Sequence, residues 1–213
     1  MLSSAEGTTG HTEGSGVAGL LLAAGEGSRL GQPKALVSVG GRTLVERGVE
    51  LLRGGGADPV IVVTGAVDVS VPGVVTVHNP DWRTGMGSSL RTGIATLPAD
   101  SAAVVVALVD QPLIGSEAVT RLISAFREEP GLIAAGYGGK RRNPVLIPRR
   151  YWADVAEQAH ADVGARGFLQ AHEAQITIIE CGDIGRPDDL DTGEDLERIR
   201  ELIEGDGHAQ NRG

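Results

Sequence analysis

Seven short apolar runs punctuate this chain, with segments of helical periodicity between them. That alternation restricts the fold more than any other feature. The runs are Val17–Ala23, Val60–Val63, Val74–Val77, Val104–Val109, Leu132–Ala135, Val145–Ile147 and Ile176–Ile179. They are continuous rather than alternating, the pattern of strands covered on both faces of a parallel sheet. Helical spacing marks Thr43–Arg53, where Leu44, Val45, Val49 and Leu52 share one face, and recurs in Ser88–Leu97, Ser116–Glu128, Tyr151–His160, Gly164–His172 and Gly193–Glu204. Strand–helix alternation predicts an α/β fold: a doubly wound, mostly parallel central sheet with helices on both faces and right-handed crossovers. Gly138–Gly139 separates two apolar runs and predicts a hairpin, hence a short antiparallel element in the C-terminal third.

Composition narrows the class. At 213 residues with 41% hydrophobic content, the chain can bury one sizeable core. Residues 1–16 and 205–213 hold almost no apolar side chain and read as disordered tails, leaving 17–204 as one folded domain. Glycine, at 32 residues, has no three-residue period, which excludes collagen. A net charge of −9 and 3% aromatics argue against a nucleic-acid partner. No apolar run approaches the ~20 residues of a membrane span. One cysteine, Cys181, excludes a disulfide framework and fits a reducing compartment; it reads as a core or strand-end thiol. A soluble, cytoplasmic protein with small-molecule substrates is expected. The five histidines show no metal-ligand spacing.

In doubly wound sheets, ligands bind at the carboxyl ends of strands near the switch in strand order. The reactive-looking segments fall there. LLAAGEGSRLGQPKAL follows the first strand and combines Gly25, Gly27 and Gly31 with Arg29 and Lys34. Small residues let backbone N–H groups approach phosphate, and the cations add charge; the other reading is a flexible turn. Neither the dinucleotide fingerprint nor the Walker A pattern is present. Lys34 is one of only two lysines against 17 arginines, which makes it conspicuous. In VVVALVDQPLI, Asp110 follows a strand, placed either to hold Mg²⁺ against substrate phosphates or to cap a helix whose nearer cap is Ser116. Asp188, Asp189 and Asp191 precede the C-terminal helix, for which Thr192 and Asp195 form a capping box. They serve the helix dipole, or Asp189 and Asp191 reach the cation of Asp110. Gly85, Gly87, Ser88 and Ser89 open a helix after Asn79–Pro80, with Ser88 as N-cap. Lys140, Arg141 and Arg142 are either a solvated hairpin tip or a receiver for an anionic second substrate. Arg166 stands near a helix start, with Asp162 as its cap.

Taken together, LAAGEGSRLGQPK (22–34), NPDWRTGMGSSL (79–90), DQPL (110–113), NPVLI (143–147), DVGARGFL (162–169) and DLDTGEDL (189–196) resemble the MobA-like nucleotidyltransferases, with the molybdenum cofactor cytidylyltransferases the closest branch through GMGSSL. The resemblance implies a Rossmann-like nucleotidyltransferase fold, Mg²⁺ and CTP, with CMP transferred to a phosphorylated acceptor such as a pterin cofactor and pyrophosphate released. It places Leu22, Ala23, Ala24, Gly25, Gly27, Ser28, Arg29, Lys34, Gly87 and Ser88 on the nucleotide, with Arg29, Lys34 and Asp110 catalytic. It places Asp110, Asp189 and Asp191 on the metal, and Arg142, Asn143 and Arg166 on the acceptor. Family members commonly carry His where this chain has Asn143, and Pro where it has Gly193; the first departure bears on the acceptor. Two other roles stay open on these residues. One is a flavin- or NAD(P)H-linked oxidoreductase, as for some relatives. The other is a non-catalytic nucleotide or cofactor chaperone serving a molybdoenzyme.

Overall fold

The computed structural model describes the backbone of residues 16–210 and the side chains of residues 16–204. Nine strands and six α-helices are described: β1 (Val17–Leu22), β2 (Ser38–Val39), β3 (Arg42–Thr43), α1 (Leu44–Gly54), β4 (Val60–Thr64), β5 (Val75–His78), α2 (Met86–Thr96), β6 (Ala103–Leu108), α3 (Ser116–Glu128), β7 (Leu132–Tyr137), β8 (Lys140–Pro148), α4 (Trp152–Gln158), α5 (Arg166–Ala171), β9 (Ile176–Glu180) and α6 (Gly193–Gln210). The tail expected at 1–16 lies outside the described residues except for Gly16. Of that expected at 205–213, residues 205–210 continue the backbone of α6 and the rest lie outside.

Seven strands form one sheet in the order β5-β4-β1-β6-β8-β7-β9. All its pairings are parallel except those of β8, which runs against both β6 and β7. The β7–β8 hairpin turns at Gly138 and Gly139, as the sequence predicts. The chain passes from β1 outward to β4 and β5, then returns to lay β6 on the other side of β1. The switch in strand order therefore lies between β1 and β6, and their carboxyl ends open a crevice there.

Successive residues of the central strands feed two separate cores, because strand side chains alternate faces. Leu21, Val62, Val105 and Leu146 pack against α1, α3 and α6. Leu20, Leu22, Ile61, Val104 and Ile147 pack against α2, α4 and α5. Continuous apolar runs correctly mark these doubly covered strands, but mislead at the sheet edges. Val75 of β5 and Ile178 of β9 are exposed, each on an outermost strand of the sheet. The β2–β3 pair, a small hairpin of two residues per strand, has no apolar run to announce it. No helix among the described residues is long and apolar enough to cross a membrane.

Candidate active site

Three segments distant in sequence meet at the crevice. The first leaves β1, with Ala23 tied to β4 by its N–H to the Val63 carbonyl and Ala24 accepting from the Ala66 N–H. Its turn is closed by the Leu30 N–H on the Gly27 carbonyl. Gly27 has φ +61°, and a Cβ there would stand 2.2 Å from the Gln32 carbonyl oxygen, so this turn excludes every other residue type. The segment ends in a 3-10 turn, Lys34–Leu36, whose Ala35 is fully buried and pins the backbone beneath Lys34. The second segment follows β6, where the Val109 N–H donates to the Leu22 carbonyl and brings Asp110 alongside the first loop. The third is held by Leu190, whose N–H donates to the Asp110 carbonyl and whose side chain is fully buried. Its neighbours Asp189 and Asp191 are thereby delivered to the crevice.

Lys34 is the meeting point. Its Nζ donates to Asp110 Oδ2 at 2.7 Å and to Asp191 Oδ1 at 2.5 Å, with only 15% of its side chain exposed. Burial alone lowers the ammonium's pKa, but the two carboxylates outweigh it and hold the group above its ordinary value. Asp189 takes a different partner, accepting from Gln111 Nε2 at 2.8 Å. Burial raises its carboxyl pKa; the Gln111 hydrogen bond opposes this, and the charges of Asp110 and Asp191 reinforce it. Asp188 belongs to the framework. It pairs with Arg186 and Arg198, which outweigh its burial and lower its pKa. Thr192 and Asp195 form the expected capping box, each side chain accepting from the other's backbone N–H.

Among the described residues, no group of three or more His, Cys, Asp or Glu stands ready to hold a metal ion. The gap between Asp110 and Asp191 is filled by the Lys34 ammonium. The donors nonetheless fit a hard cation. Asp110 Oδ1 is buried with no hydrogen-bond partner, so half of that carboxylate's acceptor capacity is unused. One or two carboxylates completed by substrate phosphates is the usual protein share of a Mg²⁺ site.

Beside this cluster lies a cleft of about 500 Å³, bounded by Leu22, Ala24, Gly25, Lys34 and Asp110 on one side and Trp82, Met86 and Ser89 on the other. A second cleft of about 500 Å³ adjoins it and contains Arg142, Asn143 and Arg166, together with Arg141 and Glu173. Leu22, Met86, Leu108 and Asp162 line both, so the two are continuous.

Several expected residues stand elsewhere. Ala23 is buried in the core beneath the cleft, and Ser28 and Arg29 are exposed on the loop that borders it without lining it. The first turn of α2 holds Gly87 against the backbone of Ala159 and His160. Ser88 neither caps α2, whose N-cap is Gly85, nor lines the cleft. Its single O–H is shared between the Asp81 and Gly85 carbonyls and it accepts from Asn79 Nδ2, so its proton is already engaged inside the protein. Ser89 takes the cleft position instead. Gly115, not Ser116, is the N-cap of α3, and Ala165, not Asp162, that of α5. Asp162 is free to face both clefts. The sequence reading also passes over Trp82, Met86 and Gln111. A signal for Gln111 exists, since it directly follows Asp110 in the strand-end motif. Cys181 is buried just past β9, where burial pushes its thiol pKa up.

A lysine and two aspartates gathered at the switch point of a doubly wound sheet, beside paired clefts, define a nucleotidyltransferase of Rossmann-like fold. The MobA-like NTP transferase domain matches residues 19–176, and the chain belongs to that family. Nicotine blue oxidoreductase of Paenarthrobacter nicotinovorans is 38% identical, the alignment covering 89% of this chain and 99% of that protein. Molybdenum cofactor guanylyltransferase of Xanthomonas euvesicatoria is 38% identical over 50% of this chain and 53% of its own. Among solved structures, the homologue of Mycobacterium tuberculosis Rv0371c from Mycobacterium sp. strain JC1 superposes with a TM-score of 0.80 at 29% identity, covering 90% and 98% of the two chains.

Proposed function

We propose that the chain transfers CMP from CTP to a phosphorylated acceptor, a pterin cofactor of the molybdopterin type, and releases pyrophosphate. The observation that carries this reading is the convergence of Lys34, Asp110 and Asp191 beside a cleft that continues into a second, arginine-bearing one. The first cleft has the size and the cationic edge for a nucleoside triphosphate, with Ala24, Gly25 and Ser89 against it. Arg29, exposed on the same loop and without an ion-pair partner among the described residues, is a second cation available to the phosphates. Arg142, Asn143 and Arg166 suit an anionic acceptor. Asn143 offers an uncharged amide where family members commonly carry an imidazole. CTP ranks first among nucleotides through the GMGSSL resemblance.

A terminal oxygen of the acceptor phosphate attacks the α-phosphorus in line. The new P–O bond forms as the bond to the β-phosphate oxygen breaks, and pyrophosphate leaves with the electron pair. Asp110 and Asp191 would hold Mg²⁺, with Asp189 beside them, and that ion supplies Lewis-acid neutralisation of phosphate charge. Lys34 offsets the negative charge that grows on the leaving group, and the shared floor of Leu22 and Leu108 holds the two substrates in contact. Purified protein given each of the four NTPs, Mg²⁺ and a molybdopterin acceptor is expected to release pyrophosphate, fastest with CTP. Absence of release with every NTP, despite binding, makes it a nucleotide-binding protein rather than a transferase.

The near full-length likeness to nicotine blue oxidoreductase favours a second reading, reduction of a conjugated pigment by NAD(P)H. A yellow protein that oxidises NAD(P)H in the presence of such a pigment, and leaves all four NTPs intact, establishes that chemistry instead.

A further inference from the structure

We propose that Lys34 and the divalent cation are alternative occupants of one position, so that the nucleotide must draw Lys34 away before the cation can enter. This rests on the nucleotide-binding reading above. The Lys34 ammonium lies within 2.7 Å of Asp110 and 2.5 Å of Asp191, and so fills the space between two carboxylates brought there by different segments. A cation placed in that space meets both the volume and the like charge of the ammonium. Without Lys34, the two carboxylates repel each other, which favours any cation that enters. Asp110 Oδ1 remains a buried acceptor with no partner, the mark of a carboxylate not fully used by the lysine alone.

The moving part is small. The buried Ala35 anchors the backbone of the Lys34 turn, leaving the four-carbon side chain to swing. A triphosphate bound along Gly25 and Ala24 offers Lys34 other anions and releases both aspartates together. Cation and nucleotide therefore strengthen one another's binding, by an equal factor in each direction. Free cation alone meets a closed site.

The test is a titration of the full-length protein with Mn²⁺ and no nucleotide, free ion being read by electron paramagnetic resonance. Lys34→Met is expected to bind Mn²⁺ at least tenfold more tightly than wild type, and adding Asp191→Asn to that variant is expected to abolish the gain. Equal affinity in wild type and Lys34→Met overturns the proposal. Should Lys34→Met fail to fold, wild type suffices. The chain has only two lysines, so labelling lysine with ¹⁵N at Nζ gives one distinct side-chain signal each for Lys34 and Lys140 without altering the ammonium. CTP without divalent cation is expected to shift the Lys34 signal, and Mg²⁺ alone at the same concentration to leave it in place. A Lys34 signal that stays fixed while calorimetry shows CTP bound overturns the exchange and leaves the nucleotide site standing. Failure of every NTP to bind overturns both.

Discussion

At the scale of single residues, Lys34 neutralises Asp110 and Asp191 in the structure, and the proposed function gives the same side chain a second task, facing the phosphates of a bound nucleotide. Lys34→Ala is expected to lower pyrophosphate release on the order of 10²–10³-fold, as loss of one oriented charge-stabilising group does. Its circular dichroism should match wild type, since the backbone there is held by Ala35. Asn79 is the residue whose importance only coordinates reveal. Fully buried, it donates to both Ser88 and Ser89 and accepts from the Asp81 N–H, so one amide shapes the cleft wall. Asn79→Ala strands these groups and is expected to lower stability by about 1–3 kcal/mol, read by urea denaturation. A weaker affinity for CTP should accompany it as Ser89 loses its tether. The sequence marked the serine pair but favoured the wrong member. Hydroxyl chemistry is the same at 88 and 89, and both are buried; the helix turn alone decides which one lines the cleft.

At the scale of elements, the acidic run that leads into the first turn of α6 separates into distinct duties. Asp188 ties to Arg186 and Arg198, Asp189 to Gln111, Asp191 to Lys34, and Asp195 closes the helix cap. Loss of the cap in Thr192→Ala is expected to cost about 1 kcal/mol by denaturant titration. The Asp195 carboxyl is pulled down to about 2, chiefly by the Thr192 hydroxyl and then by Arg198. A depressed carboxyl stabilises the folded state above its ordinary pKa near 4 and loses that contribution as pH falls toward 2. Asp195→Asn should therefore be less stable than wild type at pH 6, with the difference fading between pH 4 and pH 2. The capping pair is readable from sequence because its partners lie three residues apart. The pairing of Asp191 with Lys34 spans 157 positions, and no local pattern reports it.

At the scale of the whole molecule, the site exists because strand order reverses between β1 and β6. The Lys34 loop, the Asp110 turn and the Asp191 segment each come from a different region, and only the folded sheet joins them. A nucleotide gripping all three binds the native state alone and must stabilise the entire domain. At a hundredfold excess over its dissociation constant, CTP is expected to add about 2.7 kcal/mol, seen as a rise in melting temperature that Lys34→Ala diminishes. An unchanged melting temperature with every NTP removes the nucleotide from the site.

The seven apolar runs and the helical periods between them determined the α/β class, the hairpin at Gly138–Gly139 and the strand ends at which chemistry gathers, because burial on two faces and helix geometry are written in neighbouring residues. The tertiary structure alone decided that Ser89 rather than Ser88 meets the cleft and that Val75 and Ile178 on the edge strands are exposed. It also decided that Asp162 joins two clefts and that Lys34 sits between Asp110 and Asp191. These depend on contacts between segments far apart in the chain, where packing and hydrogen-bond satisfaction choose among residues that local chemistry leaves equivalent.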